Sequence, residues 1–125
     1  HLDTYNTIDV CLDPFPYNGG TSTADALVMG VPVVSLSGDT LKGRMGLAIL
    51  TTSGFSKWIV DSHEAYAQIA TDLAKTGTSL NEKQRIRDTF LGSEVTDGQG
   101  LGKELERAYR NMWKVYCDAQ PTTPQ

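Results

Sequence analysis

The sequence predicts an α/β protein built on a parallel sheet with flanking helices. Three observations predict it. Two apolar runs of strand length, 8–12 and 32–36, are separated by a stretch long enough to hold a helix, the connection that parallel strands need. The second run, Pro32-Val33-Val34-Ser35-Leu36, is almost continuously apolar, as a strand covered on both faces should be. After it the chain keeps returning to apolar residues at helical spacing, with glycines at the breaks.

Composition agrees. The 125 residues suit one domain with a modest core, and 39% apolar with 21% charged residues describe a chain that folds. A net charge of −4 argues against a nucleic-acid surface, which needs a basic patch. No run approaches the roughly 20 apolar residues of a membrane span. The two cysteines, Cys11 and Cys117, have no zinc spacing and suggest no disulfide framework. Reduced thiols of a cytoplasmic protein are the expectation. The chain opens at His1 without an initiator Met, which suggests a piece of something longer. Residues 1–117 read as one unit, and 118–125, rich in Pro, Thr and Gln, as a disordered tail.

The elements follow in order. His1 to Thr7 is polar, a helix end or loop. The first strand, 8–12, ends at Asp13-Pro14, because proline cannot donate to a ladder. Phe15 to Gly20 is a turn, and a short, mostly apolar helix spans about 22–29. Gly30 stops it ahead of the second strand. A helix is predicted over 41–52 with Leu41, Met45, Ala48, Ile49 and Thr52 on one face; Gly43 and Gly46 weaken it by ~1 kcal/mol each against Ala or allow a close approach. Lys57 to Val60 reads as a third strand. Asp61 and Glu64 have loose capping-box spacing for a helix ending at Gly77, with Tyr66, Ile69, Ala70, Leu73 and Ala74 as its apolar stripe. Ser79 and Glu82 make a better capping box for a helix to Leu91. A loop, 92–100, precedes a last helix over 101–117, with Leu101, Leu105, Ala108, Met112 and Tyr116 on one face.

The candidate site is the turn after the first strand. Gly19 and Gly20 let backbone approach a ligand, and Thr21, Ser22 and Thr23 place hydroxyls at a helix start. The first amides of a helix lack helical partners and carry the positive end of its dipole, so this is an anion site in outline. The same residues would also serve as a plain turn with a Ser or Thr cap. The pattern is neither a Walker A loop nor G-x-G-x-x-G. Asp25, one turn in, suits ribose hydroxyls or compensation of the dipole. His63 reads as solvated. Asp9 and Asp13 flank the strand end and read as solvated end-capping groups rather than the carboxylate pair of a glycoside hydrolase. No metal-binding cluster and no nucleophile–base pairing is legible.

These residues resemble a family. Leu12-Asp13, Phe15 to Asn18, Gly20-Thr21-Ser22, Asp25 to Leu27, Gly30 to Val34, Arg44 and Leu105 to Trp113 are similar to the C-terminal catalytic region of the O-GlcNAc-transferase and SPINDLY-type glycosyltransferases, bacterial homologues included. The resemblance covers the chain to about Tyr116. It implies a GT-B architecture, of which this chain is the last part of the Rossmann-like, three-layer donor-binding domain. It implies that Gly19 to Thr23 take the donor diphosphate, with Gly20, Thr21 and Ser22 at its centre, and that Asp25 and His1 take the ribose and nucleoside. Many relatives carry His where Gly20 stands, so one side-chain contact is absent here. The family's diphosphate-assisting Lys falls outside this chain.

The resulting expectation is the nucleotide-sugar-binding portion of an inverting, metal-independent protein O-glycosyltransferase. It would use UDP-GlcNAc, act on Ser or Thr of a protein acceptor, and have a parent carrying tetratricopeptide repeats. No cofactor and no metal are expected, and the piece alone should be inactive. An exposed sheet edge offers a route to a homodimer. The alternative is a non-catalytic α/β module that binds a nucleotide or a protein.

Overall fold

The computed structural model describes residues 1–119. A 3-10 helix, Leu2–Thr7, precedes strand β1, Cys11–Leu12. Helix α1 is Thr21–Val28 and strand β2 is Val33–Leu36. A 3-10 turn, Leu41–Arg44, runs into α2, Met45–Thr52; another, Ser56–Trp58, runs into β3, Ile59–Val60. Helices α3, His63–Thr76, and α4, Leu80–Leu91, follow, then a 3-10 turn, Glu94–Thr96, and α5, Gly98–Ala119.

The sheet has the order β1-β2-β3 and is parallel throughout. Cys11 pairs with Val33 and Leu12 with Val34; Ser35 pairs with Ile59 and Leu36 with Val60. Because the order advances one strand at a time, right-handed crossovers put α1 and α2 on the same face. Every residue of β2 is buried, so both of its faces are covered. Val33 and Ser35 point toward α1 and α2, while α3 packs on β2 and β3 from the other side. Ala26, Leu27, Val31, Val33 and Leu50 are the centre of the core, with Tyr5, Phe55, Trp58, Ile86 and Phe90 around them. Each fully buried Val or Leu side chain contributes about 1.5–3 kcal/mol.

Several boundaries differ from expectation. The first strand is confined to residues 11–12, because Ile8 donates its N–H to the Tyr5 carbonyl and closes the 3-10 helix. The third strand loses 57–58 to a turn in which Trp58 N–H bonds the Phe55 carbonyl and the two rings stack at 4.9 Å. The helix predicted from residue 41 starts its α-helical part at Met45. Its buried face is also different. Leu41 is 86% exposed, and the residues set inward are Gly43, Gly46 and Leu50. Small residues let this segment sit directly on the sheet, which side-chain periodicity does not register. Ser62, not Asp61, caps α3, its hydroxyl accepting the Ala65 N–H at 3.2 Å.

The Ser79–Glu82 capping box is formed in both directions. Gly30, at φ +76°, ends α1, and a Cβ there would strike the Lys83 backbone, so α1 and α4 touch closely. Helix α5 begins three residues earlier than expected: the Asp97 carboxylate accepts the Gly100 N–H at 2.8 Å and overrides the glycine-rich composition. Its apolar face exists but is solvent-exposed along its length. Asp118 and Ala119, read as tail, belong to α5, and 120–125 lie outside the described residues.

Candidate functional site

Strand β1 runs straight into Asp13, and everything at its carboxyl end is built around that residue. The Asp13 side chain is buried, at 2% exposure. One carboxylate oxygen, Oδ1, accepts the Gly19 N–H at 2.7 Å and lies 3.4 Å from the Thr23 hydroxyl. The other, Oδ2, accepts the Ser35 hydroxyl at 2.5 Å. The backbone carbonyl of Asp13 accepts the Tyr66 phenol from α3 at 2.7 Å. This corrects the reading of Asp13 as a solvated end cap: three segments converge on it from 6, 22 and 53 residues away. Burial pushes its carboxyl up from the usual value, against the pull of the bonds from Ser35, Gly19 and Thr23. Burial, and then the Asp13 charge, push the Tyr66 phenol up.

The loop from 13 to 19 is fastened along its length. Asn18 is fully buried; its N–H bonds the Lys42 carbonyl at 2.9 Å and its side-chain amide the Pro14 carbonyl at 3.0 Å. Phe15, joined to Pro16 by a cis peptide, lies edge-on to His63 and Tyr66 at 5.0 and 5.6 Å.

This loop delivers Gly20 as the N-cap of α1. No side chain caps the helix. Thr21, Ser22 and Thr23 form its first turn instead of supplying the cap that the plain-turn reading requires. Thr21 and Ser22 are exposed, whereas Thr23 is 3% exposed and its hydroxyl bonds the Gly19 carbonyl at 3.1 Å. The turn therefore has two sides. Gly19 N–H and the Thr23 hydroxyl face Asp13; Thr21 and Ser22 are exposed at the open helix end, where the dipole favours an anion, although the Ser22 hydroxyl lies on the same side of Gly19 as Thr23 Oγ1 and Asp13 Oδ1.

The structure also brings His1 and Asp25 together. His1 Nε2 lies 3.5 Å from Asp25 Oδ2, on the α1 side of the turn. Tyr5 holds this arrangement: its ring meets His1 edge-on at 5.8 Å, and its buried phenol donates to the Ser22 carbonyl at 3.4 Å. A cleft of about 230 Å³ opens beside the turn, with Tyr5, Leu12, Asp13, Ser22 and Thr23 in its wall. A larger cavity, about 650 Å³, is floored by Phe55, Trp58, Ile69 and Leu73 beyond the start of β2; none of the predicted residues lines it.

Sequence reasoning missed Tyr5, Ser35 and Tyr66 as parts of this arrangement; the close approach it allowed at Gly46 is made there, onto Asp13 and Ser35. Ser35 carried a signal, as the only hydroxyl in an otherwise apolar strand. Tyr5 carried a weaker one, as the one aromatic in a polar stretch.

The model of glycosyl transferase family 41 matches residues 1–98. The chain belongs to that family. It is 38% identical over 121 residues to the SPINDLY protein of Arabidopsis thaliana, named a probable UDP-N-acetylglucosamine–peptide N-acetylglucosaminyltransferase, covering 96% of this chain and 13% of the relative. It is 40% identical over 119 residues to the protein of the same name from Oryza sativa subsp. japonica, covering 94% and 13%. It superposes on a mutant Thermobaculum terrenum O-GlcNAc transferase with a TM-score of 0.78 at 38% identity, covering 94% of this chain and 23% of that one. The family 41 chain thus spans about an eighth of the length of the curated relatives it matches. The resemblance read from the motifs between Leu12 and Trp113 is the family found, and the parallel α/β architecture is that of part of an O-GlcNAc transferase. Among the described residues no helix is long and apolar enough to cross a membrane.

Proposed function

We propose that this chain is the donor-binding portion of an inverting, metal-independent protein O-glycosyltransferase, which moves N-acetylglucosamine from UDP-GlcNAc to Ser or Thr of a protein. Gly20, Thr21 and Ser22 take the diphosphate. Asp25 and His1 take the ribose and nucleoside. Gly19 and Thr23 hold the turn from beneath. The observation that carries this reading is the uncapped first turn of α1, with two exposed hydroxyl residues and the His1–Asp25 pair beside it.

The chemistry follows from the geometry. As the bond to the sugar breaks, negative charge grows on the departing diphosphate. Amides already aimed at that charge stabilise it without reorganising, and more strongly in the transition state than in the ground state. In this reading the amides and the helix dipole do the work for which other transferases use a metal.

Titration of UDP into the ¹⁵N-labelled chain tests this. Shifts concentrated at Gly20, Thr21, Ser22 and Asp25 are expected, with weak affinity, because the chain is a small share of its relatives' length. No response at 19–25 would sink the proposal. The chain alone is expected not to transfer sugar from UDP-GlcNAc to a peptide; measurable transfer would overturn that part.

A further inference from the structure

We propose that Asp13 is the positioning residue of the diphosphate turn: without touching the ligand, it decides which donors face it. The inference rests on the diphosphate reading above.

The turn carries more donors than one phosphate needs, and Asp13 takes up part of them. Asp13 Oδ1 draws the Gly19 N–H inward at 2.7 Å and has the Thr23 hydroxyl at 3.4 Å. Gly20, Thr21 and Ser22 are left at the open end of α1. The bond from Asp13 to Gly19 also closes the loop that leads into the helix, so the carboxylate sets where the helix begins. Its own position is over-determined. Ser35 of β2 donates to Oδ2 at 2.5 Å, and Tyr66 of α3 pins the Asp13 carbonyl at 2.7 Å. Gly46 of α2 roofs the group: a Cβ there would collide with Asp13 Oδ2 and Ser35 Oγ. One buried residue thereby ties the turn to β2 and α2 through its side chain and to α3 through its backbone carbonyl, and a shift in any of these reaches the amides through it. Asp13 is only 2% exposed where it borders the cleft, and its carboxylate oxygens are engaged by Gly19 and Ser35, so its role is geometric.

A geometric role has a specific signature. In Asp13→Asn the side-chain carbonyl still accepts from Gly19, and the amide can donate to the Ser35 oxygen. In Asp13→Ala both partners are orphaned. By amide-resolved titration with UDP, Asp13→Asn is expected to bind within about threefold of the parent chain and Asp13→Ala at least about tenfold more weakly, with core amides such as Val33 and Leu50 undisturbed. A folded Asp13→Ala chain with unchanged affinity, or an Asn variant as weak as the Ala one, overturns the proposal. If Asp13→Ala does not fold, Thr23→Val carries the test: about two- to fivefold weaker binding is expected, and unchanged binding overturns it. If the parent chain ignores UDP, the diphosphate reading fails on its own. Hydrogen exchange at Gly19 then still reads the positioning: at least about tenfold faster exchange in Asp13→Ala than in Asp13→Asn supports it, and equal rates overturn it.

Discussion

Gly46 sits directly over the carboxylate of Asp13. A methyl group at that position would overlap both Asp13 Oδ2 and Ser35 Oγ. The absence of a side chain in α2 is therefore what lets a polar cluster be buried between helix and sheet. The cluster's donors come from three other segments, so it is a junction of the fold and not a local turn feature.

Gly46→Ala is accordingly expected to destabilise the chain. Overpacking costs about 1–3 kcal/mol, and a Cβ that strikes two atoms of a fixed cluster falls toward the upper end, above the ~1 kcal/mol by which Ala outranks Gly inside a helix. Gly102, in α5, is the control. Nothing lies within 4 Å of a Cβ built there, so Gly102→Ala is expected to be neutral or stabilising by up to about 1 kcal/mol. Urea unfolding of the two variants measures the contrast, and equal midpoints for them would contradict it.

The raised Asp13 carboxyl makes stability depend on pH in a definite direction. An acid whose pKa is higher folded than unfolded binds more protons in the native state between the two values. Its contribution to stability is fully present below the ordinary carboxylate value of 3.8 and is lost as pH rises through the folded value. Relative to the parent, Asp13→Asn should therefore gain stability as pH is raised out of the acid range, and the difference should level off once Asp13 is ionised. Denaturant titrations of both chains across that range check the sign; a difference that shrinks with rising pH would be the wrong one.

Asp25 is proposed to read ribose, not phosphate, and the two can be separated. Asp25→Ala is expected to weaken UDP about tenfold, the scale of losing a charge-assisted hydrogen bond, while leaving inorganic diphosphate unchanged. Loss of both ligands together would place Asp25 in the fold of the turn, as a dipole-compensating residue.

Much of this protein is written locally. The Ser79–Glu82 box needs only three residues' spacing to satisfy two orphan amides, and it forms as read. Gly30 and Gly77 end their helices at positive φ, where glycine carries no Cβ penalty. The strand–turn–helix–strand pattern from 8 to 36 was enough for the parallel α/β class, and the residues within it for the family. Elements failed where a neighbour remote in sequence decided the outcome. The apolar stripe assigned to α2 does not face the sheet, because the contact surface is the glycines read as allowing a close approach, and an apolar-period argument looks for bulk. Helix α5 was placed late because one cap, Asp97, outweighed the glycines beside it.

The sequence by itself determined the turn: two glycines, three hydroxyl residues and Asp25 at the end of a strand, all within one short segment and therefore fixed relative to one another by local geometry. Only the tertiary structure decided which side of that turn faces outward. That choice depends on desolvating the carboxylate of Asp13, and a carboxylate is buried only where donors from distant segments meet it. Ser35 supplies such a donor, Tyr66 fixes the backbone carbonyl of the same residue, and Gly46 supplies the room; no local pattern of residues states that they come together.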